Sequence, residues 1–227
     1  MTAPQPSLRD RKRAATIDEI KAVAVRHLAA DPSAMTLRGI AREVGMTVQS
    51  LCHYFPSRED LITALVTDAH AELATAVEAA RPVDLVTAAA AYRGWALAHR
   101  SRFLLIYGTP VPGYAAPAQG PTSGAARRLG AAFTAAIYGG WSPGDLERVP
   151  PPGTDPALDA ALARAGDLTG TGLPAGALGW GLALWAQLHG LVMLEILGHL
   201  PMLGDQAGAF YDRTARRAAA DLTTLRP

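Results

Sequence analysis

Apolar residues recur at helical spacing along most of this chain. Ile17, Ile20, Ala24 and Leu28 fall at intervals of three and four, which predicts a helix over residues 9–30, ended by Asp31-Pro32-Ser33. Thr36 is a suitable N-cap for a second helix carrying Leu37, Ile40, Ala41 and Val44 up to Gly45. Thr47 can cap a third, with Leu51 and Tyr54 on its inner face. Pro56-Ser57 interrupts the pattern. Ser57 with Asp60 three residues on then forms a capping-box start for a fourth helix reaching about Ala80. Residues 1–7 hold two Pro and no period, and are expected to be loose.

Arg81-Pro82 marks the next boundary. A fifth helix is predicted over residues 84–99 and a short one over 101–107. Two stretches rich in Pro and Gly, 108–124 and 139–156, read as loops. Helical patterns occupy 125–139 and, more weakly, 157–166. Residues 173–200 form a long, very apolar segment, and 204–225 an amphipathic last helix. No segment reads as a strand, so the fold class is all-α.

The stretch from Leu37 to Pro56 carries the chemistry. Two short helices joined by a tight turn need a small residue where they touch and a turn residue that tolerates positive φ; Ala41 and Gly45 supply these. Ile40, Val44, Met46, Leu51 and Tyr54 form the inner faces. The second of these helices is left with an outward edge of Thr47, Val48, Gln49, Ser50 and His53. These side chains are short enough to enter a DNA major groove and polar enough to read base edges or phosphates. Arg9, Arg11, Lys12, Arg13, Arg38 and Arg42 are placed to reach phosphates, and Ser57-Arg58 opens a helix N-terminus suited to an anion.

The run MTLRGIAREVGMTVQSLCHYFPSREDLITAL resembles the N-terminal domain of the tetracycline-repressor family of bacterial transcription regulators. The likeness covers about residues 13–66 and rests on Ala-x-x-x-Gly, Leu-x-x-Tyr-Phe and Ser-x-x-Asp-Leu. It implies a three-helix helix-turn-helix domain over residues 1–58 that reads DNA with its third helix. A linker helix at about 58–80 would lead into a helical effector-binding and dimerisation domain, residues 59–227. It implies DNA contacts from Thr36, Thr47, Val48, Gln49, Ser50, His53, Tyr54 and Arg58, to which Arg38 is added as a candidate phosphate contact. Cys52 departs from the family pattern, which has an aromatic there; a thiol is a poor phosphate ligand.

Residues 173–200 are long enough to span a bilayer, but Gln187, His189 and Glu195 interrupt them and basic anchors are missing from the flanks. The segment reads as a buried helix shared between a domain core and a dimer contact, with no membrane as partner. Trp185 with the run from His189 to Glu195, and the stretch from Phe103 to Tyr114, resemble the C-terminal domain of a subgroup of the same family with a Trp-His-Gly feature. Tyr92, Trp95, Phe103 and Tyr107 recur at roughly helical spacing, and Trp185, His189 and Met193 share an i, i+4, i+8 stripe. Singly these suit a core; together they suit the lining of an apolar ligand pocket, with His189 its polar contact. Glu195 and His199 are too few for a metal site, and no cofactor is expected.

Composition narrows the rest. The chain of 227 residues is 49% hydrophobic and 18% charged, which excludes disorder. One cysteine excludes an internal disulfide framework, and the N-terminus lacks the apolar region of a secretory signal, so the cytoplasm is expected. The net charge of +1 conceals nine Lys/Arg against five Asp/Glu in residues 1–58, a basic third suited to a polyanion. Phosphate loops, nucleophile elbows and metal clusters are missing, which argues against an enzyme. The expected partners are a palindromic DNA operator, a small apolar effector that releases it from a repressor, and a second copy of the chain. The alternative is a helical small-molecule-binding or membrane-associated protein with no specific operator.

Overall fold

The computed structural model describes residues 7–31, 35–108, 111–117, 120–151, 153, 155–169 and 171–226. The expectation of a loose start at residues 1–7 lies outside them except at Ser7, which is ordered as the cap of the first helix, and the part played by Pro32 and Ser33 in ending that helix lies outside them as well. All regular structure among the described residues is helical.

The chain packs as two compact units. The first takes residues 1–69 and 101–122, the second residues 70–100 and 123–227. The expected division after residue 58 concerns DNA reading against effector binding; the packing units are distributed otherwise, because residues 101–122 fold with the first.

In the first unit, α1 (Leu8–Ala30) starts at Ser7, whose hydroxyl caps the Asp10 amide while the Asp10 carboxylate returns to the Ser7 amide. It ends at Asp31, where the backbone turns extended. α2 (Leu37–Val44) is capped by Thr36 and closed by Gly45 at φ +79°, where any Cβ would be strained. α3 (Val48–Cys52) is only five residues long and capped by Thr47. His53 and Tyr54, expected on the helix, lie in the turn after it. α4 (Arg58–Ala79) begins at the expected Ser57–Asp60 box, and its first turns complete the unit. The core joins Ile20, Ala24, Met35, Ile40, Leu51, Phe55, Leu61 and Ile62, with Val111 from the segment after α6 (Arg100–Tyr107) buried among them.

The second unit holds the rest of α4 with α5 (Leu85–Ala98), α7 (Pro121–Tyr138, from Ser123 on), α8 (Pro143–Glu147), α9 (Pro156–Thr169), α10 (Ala175–Ile196) and α11 (Ala207–Leu225). α8 corrects the reading of 139–156 as loop: Ser142 and Asp145 form a reciprocal capping box that the surrounding Pro and Gly masked. α10 packs against α5, α8, α9 and α11. Its first turn comes so close to the 149–150 backbone that a Cβ on Gly176 would meet the Val149 carbonyl at 2.0 Å. Tyr138 and Trp180 fix the same corner by donating to the Ala177 carbonyl (2.6 Å) and the Pro150 carbonyl (3.0 Å). Burial holds the Tyr138 hydroxyl up to about 12. By length and composition α10 could cross a membrane. It combines one face buried through Leu184, Leu188, Val192 and Ile196 with exposed Leu182 and Leu194, and the C-cap Leu197 is exposed as well.

Candidate nucleic-acid interface

The recognition element is anchored from behind. Leu51 is fully buried and Phe55 nearly so, while Tyr54 packs partly against the same core. Anchoring these three turns Thr47, Val48, Gln49, Ser50 and His53 outward, and all five are exposed. Thr47 accepts from the Ser50 amide at 3.1 Å, and the two hydroxyls lie 2.9 Å apart. The Gln49 side chain has no hydrogen-bond partner among the described residues, and both its donor and acceptor face solvent. Thr36 and Arg38, at the start of α2, are exposed as well.

Electrostatics set the angle of α2. Glu43 accepts from Arg26 at 2.7 Å and lies 2.8 Å from the His27 ring, both on α1. These bonds, Arg26 first, hold its carboxyl below the ordinary range. The His27 ring also fills the space over Gly39, where a Cβ would meet it at 3.3 Å.

Arg58 sits differently from the rest of the expected set. It is half-buried, with Nε donating to the Met35 carbonyl (3.1 Å) and Nη1 to the Pro112 carbonyl (3.2 Å). Tyr114 adds a 3.1 Å hydroxyl contact with Thr63. Sequence reasoning missed this attachment, because no local pattern announces that Val111, Pro112 and Tyr114 serve the N-terminal unit. Arg13, expected only as a cation within reach of phosphates, has its guanidinium over the Tyr54 ring.

The expected pocket residues are divided between the units. Phe103 is buried and Tyr107 partly so in the first, their rings 5.1 Å apart. In the second, Tyr92 is buried, with its hydroxyl 2.8 Å from His189 Nδ1. His189 stacks on Trp185 at 4.7 Å, and Tyr92 meets Phe133 edge-on at 5.4 Å. Trp95 is buried and lies 5.1 Å from His99; Met193 is half-buried. Burial lowers the His189 pKa. Glu195 does not face a metal partner: α10 ends before His199, and the Glu195 carboxylate accepts from Arg93 at 2.8 Å. The Arg93 pKa is raised by that bond.

Comparison with known proteins decides the family. The profile of bacterial regulatory proteins of the tetR family matches residues 20–65, and that of the tetracyclin repressor-like C-terminal domain matches residues 85–218. The chain belongs to the tetracycline-repressor family. Members of that family are DNA-binding transcription regulators of helix-turn-helix type rather than enzymes. HTH-type transcriptional regulators Mb1846 of Mycobacterium bovis and Rv1816 of Mycobacterium tuberculosis are each 41% identical over 120 residues, 49% of this chain and 51% of theirs. The chain thus spans about half the length of the curated relatives it matches. The crystal structure of a regulatory protein, SCO4313, superposes with a TM-score of 0.77 at 32% identity, covering 94% of this regulator and 98% of that chain. A protein of unknown function from Rhodococcus sp. RHA1 shares the fold at TM-score 0.54 and 22% identity, covering 91% and 92%.

Proposed function

We propose that this regulator is a cytoplasmic repressor that binds a palindromic operator as a homodimer and is released by a small apolar effector. The observation that carries the DNA half is the exposed edge from Thr47 to His53, held rigidly outward by buried Leu51. Gln49 is the base-reading candidate, since an amide can pair bidentately with adenine. Thr36, Arg38, Thr47, Ser50, His53 and Tyr54 take backbone contacts, and Val48 an apolar contact with a thymine methyl. Arg58, engaged by two backbone carbonyls, acts through the segment it positions. Two copies would set their recognition helices ~34 Å apart, one turn of DNA. The exposed Leu182 and Leu194 of α10, with its C-cap Leu197, suit the contact between copies.

The effector reading rests on His189 with Tyr92 and Trp185, which it touches. Trp95 and Met193 on the same two helices, and Phe103 and Tyr107 in the first unit, are the other candidate lining residues. Membership of the Trp-His-Gly subgroup rests on Trp185, His189 and Gly190 alone.

Footprinting on DNA flanking the regulator's own gene tests the proposal. A protected palindrome is the expected result. On that site Gln49→Ala lowers affinity by about 1–3 kcal/mol and relaxes the choice of one base pair. An unchanged base preference would remove Gln49 from the reading face, and no protected site would remove the operator altogether.

A further inference from the structure

Among the described residues some cations are held by a carboxylate and others are not. Lys21 is bonded to Asp68, Arg26 to Glu43, Arg93 to Glu195, Arg128 to Glu78, Arg148 to Asp145 and Arg216 to Asp212. Arg9, Lys12 and Arg13 are exposed on the first turns of α1 and have no carboxylate partner among the described residues. The Asp10 carboxylate makes no ion pair with them and instead accepts from the Ser7 amide and hydroxyl at 3.2 and 2.7 Å.

These three cations line one cleft of ≈ 620 Å³ together with Leu8, Thr16 and Tyr54, and no carboxylate lines it. Arg9, Lys12, Arg13 and Thr16 follow i, i+3, i+4, i+7 spacing, so helix geometry holds them on one face. Close like charges on a helix destabilise it slightly, and the sequence nonetheless keeps them together, open to solvent. The far wall is Tyr54, which follows the recognition helix directly. The Arg13 guanidinium stands 5.0 Å from its ring centroid, within cation–π range. The cleft therefore borders the end of α3 but is built from α1, outside the helix-turn-helix itself.

We infer that this cleft is a second DNA contact, a clamp for the sugar-phosphate backbone beside the groove that α3 enters. Arg9 and Lys12 each neutralise a phosphate. Arg13 positions the Tyr54 ring, which ties the clamp to the recognition helix and sets its register. The contact supplies affinity and orientation but no base choice. It rests on the reading of the protein as an operator-binding regulator.

The test uses the full chain and two probes: a duplex enriched by the unaltered protein from a random-sequence pool, and an unrelated duplex of equal length. Binding is measured across a salt series. Arg9→Ala with Lys12→Ala is expected to weaken both duplexes by the same factor and leave the preference between them unchanged. The slope of log affinity on log salt should flatten by ~0.9 for each phosphate that the variant no longer neutralises. Hydroxyl-radical protection beside the recognised groove should shrink. Both side chains are exposed and Ala favours helix, so an unchanged thermal melt shows that the fold is kept. An unchanged slope, with the enriched duplex still preferred, overturns the clamp and leaves the regulator reading intact. An unchanged slope together with weakened binding to a polyglutamate peptide overturns it in favour of an acidic protein partner. If the unaltered protein enriches no duplex, the regulator reading fails and takes the clamp with it.

Discussion

The two units use polar side chains on apolar helices to opposite ends. In the first, Gln49 and His53 project from a helix-turn-helix whose buried side is closed by Ile40 and Leu51, and their side chains reach solvent without a hydrogen-bond partner among the described residues. In the second, the corresponding groups are turned on one another: His189 meets Tyr92 and Trp185, and Arg93 meets Glu195. An outward group is ready for an incoming molecule, whereas an internally bonded one must exchange its partner first. On the proposed reading the DNA-reading edge is thus preformed, whereas an effector at His189 would have to exchange a bond whose net worth is only about 0.5–1.5 kcal/mol, a modest barrier for a ligand that offers a replacement.

The contrast breaks most severely at Leu51. Leu51→Ala removes the fully buried anchor of α3 and should destabilise the first unit by about 2–5 kcal/mol, read as a lowered thermal midpoint together with abolished operator binding. A loss well under that range would mean that the recognition helix is not held by its buried face. Val111 sharpens the same point from a distance. It is 6% exposed in the core of the first unit, although its place in the sequence lies within the C-terminal family match. Val111→Ala should cost about 2 kcal/mol and speed amide exchange around Met35 and Leu61. Faster exchange confined to the second unit would contradict that assignment.

These two residues also mark what could be read from the sequence. The head was legible because its rules are short-range. Thr36, Thr47 and Ser57 each cap an amide three residues on, Gly45 takes the left-handed turn, and Leu51 falls on the inner period. The exposure of the edge from Thr47 to His53 follows from those positions alone. Val111, Arg58 and Tyr114 were not legible, since their partners lie far away in sequence and the Pro/Gly-rich stretch gives no period. Tyr92 and His189 stand 97 residues apart, so spacing could propose both as pocket residues without revealing that they bond to each other. The α8 capping box was readable in principle, but the Pro and Gly around it argued for a loop.

Tyr92→Phe tests the internally bonded side at lower cost. It deletes the hydroxyl that His189 meets and keeps the ring against Phe133. Because His189 is only half-buried, water can replace part of the missing bond, and the expected destabilisation is about 1 kcal/mol with operator affinity unchanged. Unaltered stability would show that the pair contributes no net hydrogen bond in solution, leaving His189 open to a ligand without any exchange.

The smallest effect is a pH dependence that differs between the units. Burial lowers the His189 pKa from its ordinary 6.5, so the folded second unit favours the neutral ring. As pH falls below about 6.5 the unfolded chain takes up that proton first, and stability falls with it. The loss levels off once the pH passes below the depressed folded value, where both states are protonated. In the first unit the sensitive group is Glu43, held low by Arg26 and His27. Its contribution is intact above the ordinary carboxylate value of 4.5 and is lost as pH falls through the lowered one, so its window opens at a lower pH than that of His189. Thermal stability measured from about pH 7.5 down to about pH 5.5 should therefore decline in the parent chain and lose that slope in His189→Gln. A slope that survives the substitution would place the titrating group elsewhere and detach the Tyr92–His189 bond from any role in sensing protons or ligand.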